Sequence, residues 1–139
     1  MNWTPLLEAG LLVQGHIAAA VASAGVGLLQ FVGRKGTAVH KTLGWVWIGL
    51  IAVTAFTSLF MRNLNDGGFS LTHGFTALAA IGVPGAVVAI RRGDVLLHRN
   101  FMFAVYVGGL LIAGAFTLTP GRLLHDVMFA GDHAPSDGR

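Results

Sequence analysis

Long apolar stretches alternate with short charged segments along the whole chain. Four of these stretches contain no Asp, Glu, Lys or Arg: residues 9–33, 42–61, 67–90 and 100–121. Each holds about 20 residues, the length that crosses roughly 30 Å of hydrocarbon as an α-helix. The pattern predicts an all-α integral membrane protein, with a four-helix transmembrane bundle over residues 1–121 and a C-terminal tail over residues 122–139.

The composition favours a membrane protein and excludes several other classes. Hydrophobic residues make up 54% of the 139 residues and charged residues only 11%, against roughly 25% charged residues in ordinary soluble domains. Cysteine is absent from the sequence, which excludes disulfides, thiolate zinc sites, iron–sulfur clusters and covalent c-type haem. The net charge of +3 comes from residues between the apolar runs, so we expect a lipid bilayer and no nucleic acid as the partner.

Basic residues are divided unequally between the two sides of the predicted bundle. The segments after the first and third spans hold six of them: Arg34, Lys35, Lys41, Arg91, Arg92 and Arg99. The opposite side holds three: Arg62, Arg122 and Arg139. Because cytoplasmic loops are enriched in Lys and Arg, we expect both termini outside, and hence a periplasmic tail, with the two basic loops in the cytoplasm.

The two halves of the chain match when His16 is aligned with His73. Eighteen residues after each His comes a basic pair followed by glycine, in the segments 34–36 and 91–93. A second His with a basic neighbour follows after 24 residues in one half and 25 in the other, as His40 and His98. This predicts a tandem two-helix repeat, whose parallel copies are related by a pseudo-twofold axis along the membrane normal.

The repeat places four histidines in two layers of the bundle. His16 and His73 fall in the outer half of the membrane, whereas His40 and His98 open the second and fourth spans near the cytoplasm. An ionisable residue within a span indicates a functional site, and two imidazoles facing each other in a bundle can supply both axial ligands of a b-type haem. The sequence therefore predicts one or two b-type haems on these pairs, with iron bound only through haem.

Residues near the histidines are candidates for supporting roles. Four basic side chains are candidates to pair with haem propionates: Lys41, Arg99, Arg34 and Arg91. On the face of the first span below His16, small residues such as Ser23 and Gly27 are expected to leave room for a flat macrocycle. Gln30 is a candidate to contact a quinone or a loop carbonyl.

The remaining aromatic and histidine residues are interpreted as structural. Trp3, Trp45, Trp47 and Tyr106 are expected to anchor the protein at the membrane interface or to pack against lipid. His125 and His133 lie after the last span beside aspartates, and the pattern is typical of a solvated tail.

These motifs resemble a bacterial family of short predicted inner-membrane proteins of unknown function. The resemblance rests on His16 with Gln30, on His40-Lys41-Thr42-Leu43-Gly44, and on His98-Arg99-Asn100-Phe101-Met102. Lys41 stands where the family usually has Arg, and Phe101 where it usually has Trp. The resemblance covers nearly the whole chain and implies a four-helix, multi-pass protein of the bacterial inner membrane. The two His pairs are also similar in site design to the transmembrane cytochrome b family that passes electrons from ascorbate across membranes.

Three functions are compatible with this pattern. The leading hypothesis is an oxidoreductase-type electron carrier, a di-haem b-type membrane protein that works at quinone level with a membrane-protein partner. An alternative is an accessory or assembly subunit of a larger respiratory or photosynthetic complex, in which the histidines are structural. A third is a proton or small-solute pathway with the histidines as relays.

Overall fold

The chain forms a bundle of long apolar helices. The computed structural model describes residues 7–60 and 71–112, together with 114, 115, 118, 127 and 128. Its helices are α1 (Leu11–Val32), α2 (Ala38–Phe60), α3 (Leu71–Arg91) and α4 (Val95–Ala104), and α4 continues directly as a π-helix (Val105–Ile112). The described part contains no strand and has four segments long and apolar enough to span a membrane, which confirms the predicted all-α membrane architecture.

Helices α2 and α4 begin earlier than the predicted spans at 42 and 100. The Thr37 hydroxyl accepts a hydrogen bond from the His40 N–H at 3.2 Å, and the Asp94 carboxylate accepts one from the Leu97 N–H at 2.9 Å. These side chains satisfy backbone donors that the first helical turn leaves open, as N-caps do. The spans were predicted from the absence of charge, whereas the caps start each helix and bring Lys41 and Arg99 inside it.

The two connections at the basic end of the bundle share one backbone geometry. Gly36 and Gly93 have φ angles of 79° and 80°, in the left-handed region that glycine adopts without steric cost. Each directly precedes its capping residue, Thr37 or Asp94. The match supports aligning the two halves at this point, and the repeat itself stays a prediction.

Neighbouring helices in the sequence are also neighbours in the bundle. The main contacts join α1 to α2, α2 to α3 and α3 to α4, and the π-helix returns to contact α1. The helices therefore alternate in direction, and α1 lies diagonally opposite α3. This order brings both basic loops, and with them the starts of α2 and α4, to the same end.

The centre of the bundle is held by two aromatic residues that bond to the backbone of α1. The Trp47 indole N–H donates to the Ser23 carbonyl at 3.0 Å, and the Tyr106 hydroxyl donates to the Ala24 carbonyl at 3.0 Å. Trp47 and Tyr106 are only 4% and 8% exposed, so the expectation that they anchor the protein at the interface or pack against lipid is wrong. Their N–H and O–H groups find acceptors inside the protein, where hydrocarbon offers none. Trp45, in contrast, is 59% exposed on the outside of the bundle.

The π-helix shapes the side of α4 that faces the core. Val105 and Leu110, five residues apart, are both buried together with Tyr106. A π-helix closes its turns with i→i+5 hydrogen bonds, and its wider turn brings this pair to one face. The result is that Tyr106 is directed at α1 and covers the backbone of Gly27.

The outer surface of the helices is apolar and faces the bilayer. Only 11–22% of each candidate span is buried within the protein. Large side chains such as Leu11 and Val32 are 87% and 80% exposed. Because water would make this surface costly, the lipid bilayer is the environment of these helices.

A substitution at Gly27 tests the aromatic packing against α1. A Cβ added at Gly27 would lie 2.3 Å from the Tyr106 ring and 2.9 Å from the Trp47 indole nitrogen, whereas one added at Gly25 would meet nothing within 4 Å. We expect Gly27→Ala to destabilise the protein by about 1–3 kcal/mol through overpacking, with Gly25→Ala close to neutral. Thermal unfolding of the two variants in the same detergent measures the difference. Equal melting temperatures would contradict this packing.

Candidate functional site

His16 on α1 is hydrogen-bonded to the far end of α2. Its Nδ1 atom lies 2.9 Å from the Thr57 hydroxyl oxygen. The single proton of that hydroxyl is directed to backbone carbonyls of its own helix, at Val53 (2.7 Å) and Thr54 (3.1 Å). We therefore infer that the Thr57 oxygen accepts from His16, which assigns the imidazole proton to Nδ1 and the lone pair of the neutral ring to Nε2.

The same turn of α2 is also hydrogen-bonded to α3. Ser58, next to Thr57, has its hydroxyl 2.8 Å from the hydroxyl of Thr76 on α3. Thr76 follows His73 by three residues, less than one helical turn. Since α1 and α3 are both joined to this turn, His16 and the turn of α3 that contains His73 lie at one level of the bundle.

His73 itself lies on α3, diagonally across the bundle from α1. Its side chain is outside the described residues, so the pairing of His16 with His73 stays a prediction. Thr57 follows His40 by 17 residues along α2, or about 25 Å at 1.5 Å per residue. The His16 level is therefore well separated from the level of His40 and His98.

His98 is oriented by a backbone carbonyl of the neighbouring helix. Its Nδ1 lies 2.9 Å from the Ala86 carbonyl oxygen of α3, and the imidazole is half-buried. A carbonyl oxygen can only accept, so Nδ1 carries the proton and the lone pair of the neutral ring is on Nε2. His16 and His98 thus have the same tautomer, each with an available Nε2.

His40 is the least satisfied of the histidines whose side chains the structure describes. It lies within electrostatic range of His98 and of Lys35. Its Nδ1 is buried and has no hydrogen-bond partner among the described residues. Because buried polar atoms are normally paired, this nitrogen is an exception at the basic end of the bundle.

The two inner histidines do not occupy strictly equivalent positions. His40 is the third residue of α2, whereas His98 is the fourth residue of α4. One residue turns a side chain by about 100° around an α-helix. From its position on α4, His98 reaches the Ala86 carbonyl of α3.

The four basic residues predicted to pair with propionates lie at the end of the bundle that holds His40 and His98. All are exposed and occupy the loops or the adjoining helix ends: Lys41, Arg99, Arg34 and Arg91. Gln30, the quinone candidate, donates from its amide nitrogen to the His40 carbonyl at 2.9 Å. It thus ties the end of α1 to the start of α2 beside the inner histidines.

The expected open space beside Ser23 and Gly27 is not present. The ring of Tyr106 and the indole of Trp47 cover Gly27. The Trp47 indole N–H also donates a hydrogen bond to the Ser23 carbonyl. Small residues of α1 allow close approach of aromatic side chains from two other helices, as small residues do in membrane interfaces. The sequence could not show this, because a glycine in an apolar stretch does not indicate whether an aromatic ring or a cofactor packs against it.

The polar chemistry of the bundle therefore lies towards its two ends, separated by an aromatic core. In the part of the chain that the structure describes, no group of three or more His, Cys, Asp and Glu residues could hold a bare metal ion.

Comparison with known proteins assigns the chain to a family. Residues 13–136 match the family model described as "Predicted membrane protein (DUF2306)". The chain belongs to this family. No curated protein and no solved structure gives a significant match. Membership agrees with the resemblance that the His-containing motifs indicated, and the family's function is unknown.

The tautomer of His16 can be measured directly. In Thr57→Val the acceptor for the Nδ1 proton is lost, and we expect the ring to shift towards the Nε2-protonated form. Thr54→Val is the matched control, because the Thr54 hydroxyl bonds to the Leu50 carbonyl of its own helix. The ¹⁵N chemical shifts of labelled histidine in haem-free protein report the change. An Nε2-protonated His16 in the unsubstituted protein would contradict the assigned hydrogen bond.

Proposed function

We propose that the protein is a di-haem b-type electron carrier of the bacterial inner membrane. His16 and His73 ligate an outer haem, and His40 and His98 ligate an inner one. Bound haem supplies reversible one-electron redox chemistry. With one such site near each face, electrons pass across or within the membrane between a quinone-level donor or acceptor and a membrane-protein partner.

The observation that carries this proposal is that Nδ1 of both His16 and His98 lies 2.9 Å from an oxygen of a neighbouring helix. Histidines that bind metals usually donate their second ring N–H to an oxygen of the protein, which orients the ring and leaves the other nitrogen as the ligand. The Thr57 hydroxyl and the Ala86 carbonyl are such acceptors. Both rings are thus oriented with a lone pair on Nε2 before any ligand binds.

The environment of the inner pair gives further support. His40 and His98 are close enough to interact, and the buried Nδ1 of His40 lacks a partner among the described residues. Coordination to iron would use an imidazole that is otherwise costly to bury. The exposed basic residues at this end would then face the carboxylates of the inner haem.

The two histidine levels are about 25 Å apart, and Trp47 and Tyr106 occupy the core between them. Separate sites at the two ends fit this arrangement better than one shared cofactor in the centre. The proposal therefore requires two independent haems, whose occupancy can be lost one at a time.

The haem proposal predicts independent loss at each level. His98→Ala should remove the inner haem and His73→Ala the outer haem, each leaving about half of the haem content because two ligand pairs hold two irons. His125→Ala, which removes a histidine beyond the last span, should leave the content unchanged. Pyridine haemochrome assays on the purified variants measure haem per chain. Equal haem content in all three variants would contradict the assignment.

We also propose that both termini face the periplasm. The protein contains no natural cysteine, so a single introduced cysteine is a unique label. In spheroplasts a membrane-impermeant maleimide should label Asn65→Cys, between the second and third spans, and should label Ala38→Cys only after permeabilisation. The opposite pattern would reverse the orientation that the basic loops indicate.

A second candidate function is an accessory or assembly subunit of a larger membrane complex. It is favoured by the same histidine hydrogen bonds, taken as structural contacts between helices. The Nδ1 bonds to Thr57 and Ala86 join helices, and polar contacts of this kind stabilise membrane bundles without any cofactor. Such a subunit would co-purify with a large complex and contain no haem of its own. Haem bound by the isolated chain would favour the electron carrier instead.

A further inference from the structure

A recess opens on the outside of the bundle where α1 ends and α2 begins. Its volume is about 330 Å³. The lining includes apolar, amide, imidazole and guanidinium groups, from Leu29, Gln30, Arg34, Val39, His40 and Leu43. It lies at the basic end of the bundle, at the boundary between a membrane-spanning segment and a loop.

The recess has two chemically different parts. Leu29 and Val39 are 59% and 67% exposed, so its apolar walls face the surrounding lipid rather than the bundle core. The floor is polar, because Gln30 donates to the His40 carbonyl there. An occupant with an apolar chain and a polar end would match both parts.

The polar end of the recess is positively charged. Arg34 lines it, and the neighbouring Lys35 is close enough to His40 to interact electrostatically. Six basic residues lie in or beside the two loops at this end. Phosphate groups form strong charge-assisted hydrogen bonds with guanidinium and ammonium groups, and basic pockets between membrane helices bind anionic head groups.

We propose that this recess binds one anionic phospholipid, with its phosphate on Arg34 and an acyl chain along Leu29 and Val39. The occupant carries a net negative head group, since a zwitterionic lipid would bring its own cation to a site already rich in positive charge. The recess shares His40 and Arg34 with the proposed inner haem site, so haem content has to be measured beside lipid binding.

The test is lipid binding by the full-length protein in mild detergent, measured by native mass spectrometry. The protein is titrated with phosphatidylglycerol or with phosphatidylcholine of the same acyl chains. We expect one tightly bound phosphatidylglycerol per chain and about tenfold weaker binding in Arg34→Ala, since one charge-assisted contact is lost. Arg92→Ala is the matched control: it removes the same charge from the other basic loop, outside the recess, and should change the affinity less than twofold.

Each other outcome overturns the proposal. Equal affinity for the two lipids would mean that the head-group charge is not recognised. Equal weakening in Arg34→Ala and Arg92→Ala would indicate only a general surface potential. Displacement of the lipid by millimolar inorganic phosphate would indicate a simple anion site. Haem content is measured on the same samples, so loss of lipid binding and absence of haem are separate results.

Discussion

The hydrocarbon around the bundle offers no hydrogen-bond partner, so every polar group within the spans must bond inside the protein. This constraint organises the structure from its centre outwards. Trp47 and Tyr106 reach carbonyls of α1, and the glycine at position 27 lets their rings approach its backbone. Helices that share no apolar driving force in lipid are thereby held in a defined arrangement.

The same constraint explains how the histidines are oriented. His16 donates to the Thr57 hydroxyl and His98 to the Ala86 carbonyl, so two rings at opposite ends of the bundle acquire the same tautomer. Each bond joins two helices and also leaves Nε2 available. His40 departs from this pattern, since its buried Nδ1 has no partner among the described residues. Among the described residues, the basic end of the bundle is thus where a buried side-chain nitrogen is left without a hydrogen bond.

The spans and the grouping of the basic loops at one end could be predicted from the sequence, because hydropathy and alternation of helix direction determine them. The helix starts could not, since Thr37 and Asp94 act through capping geometry rather than through charge. The roles of Trp47 and Tyr106 were also missed. A tryptophan within an apolar stretch does not reveal whether its N–H faces the interface or a carbonyl of another helix.

The site was predictable at the level of residue types but not of contacts. Pattern alone placed His40 and His98 at one end, and the structure brings them within electrostatic reach. The offset of one residue between the halves could be counted in the sequence. The hydrogen bond between His98 and the Ala86 carbonyl could not be predicted, because it depends on how α3 packs against α4. The fit of Thr57 to His16 likewise depends on which turn of α2 lies beside α1.

The central claim is that histidine pairs at the two ends of this bundle each hold a haem. The most direct measurement is the visible spectrum of the purified protein, air-oxidised and then reduced with dithionite, with haem quantified per chain. The account predicts sharp reduced bands of six-coordinate b-type haem at about two haems per chain, because each iron takes two imidazoles. A colourless protein, purified from cells supplied with ample haem, would contradict it.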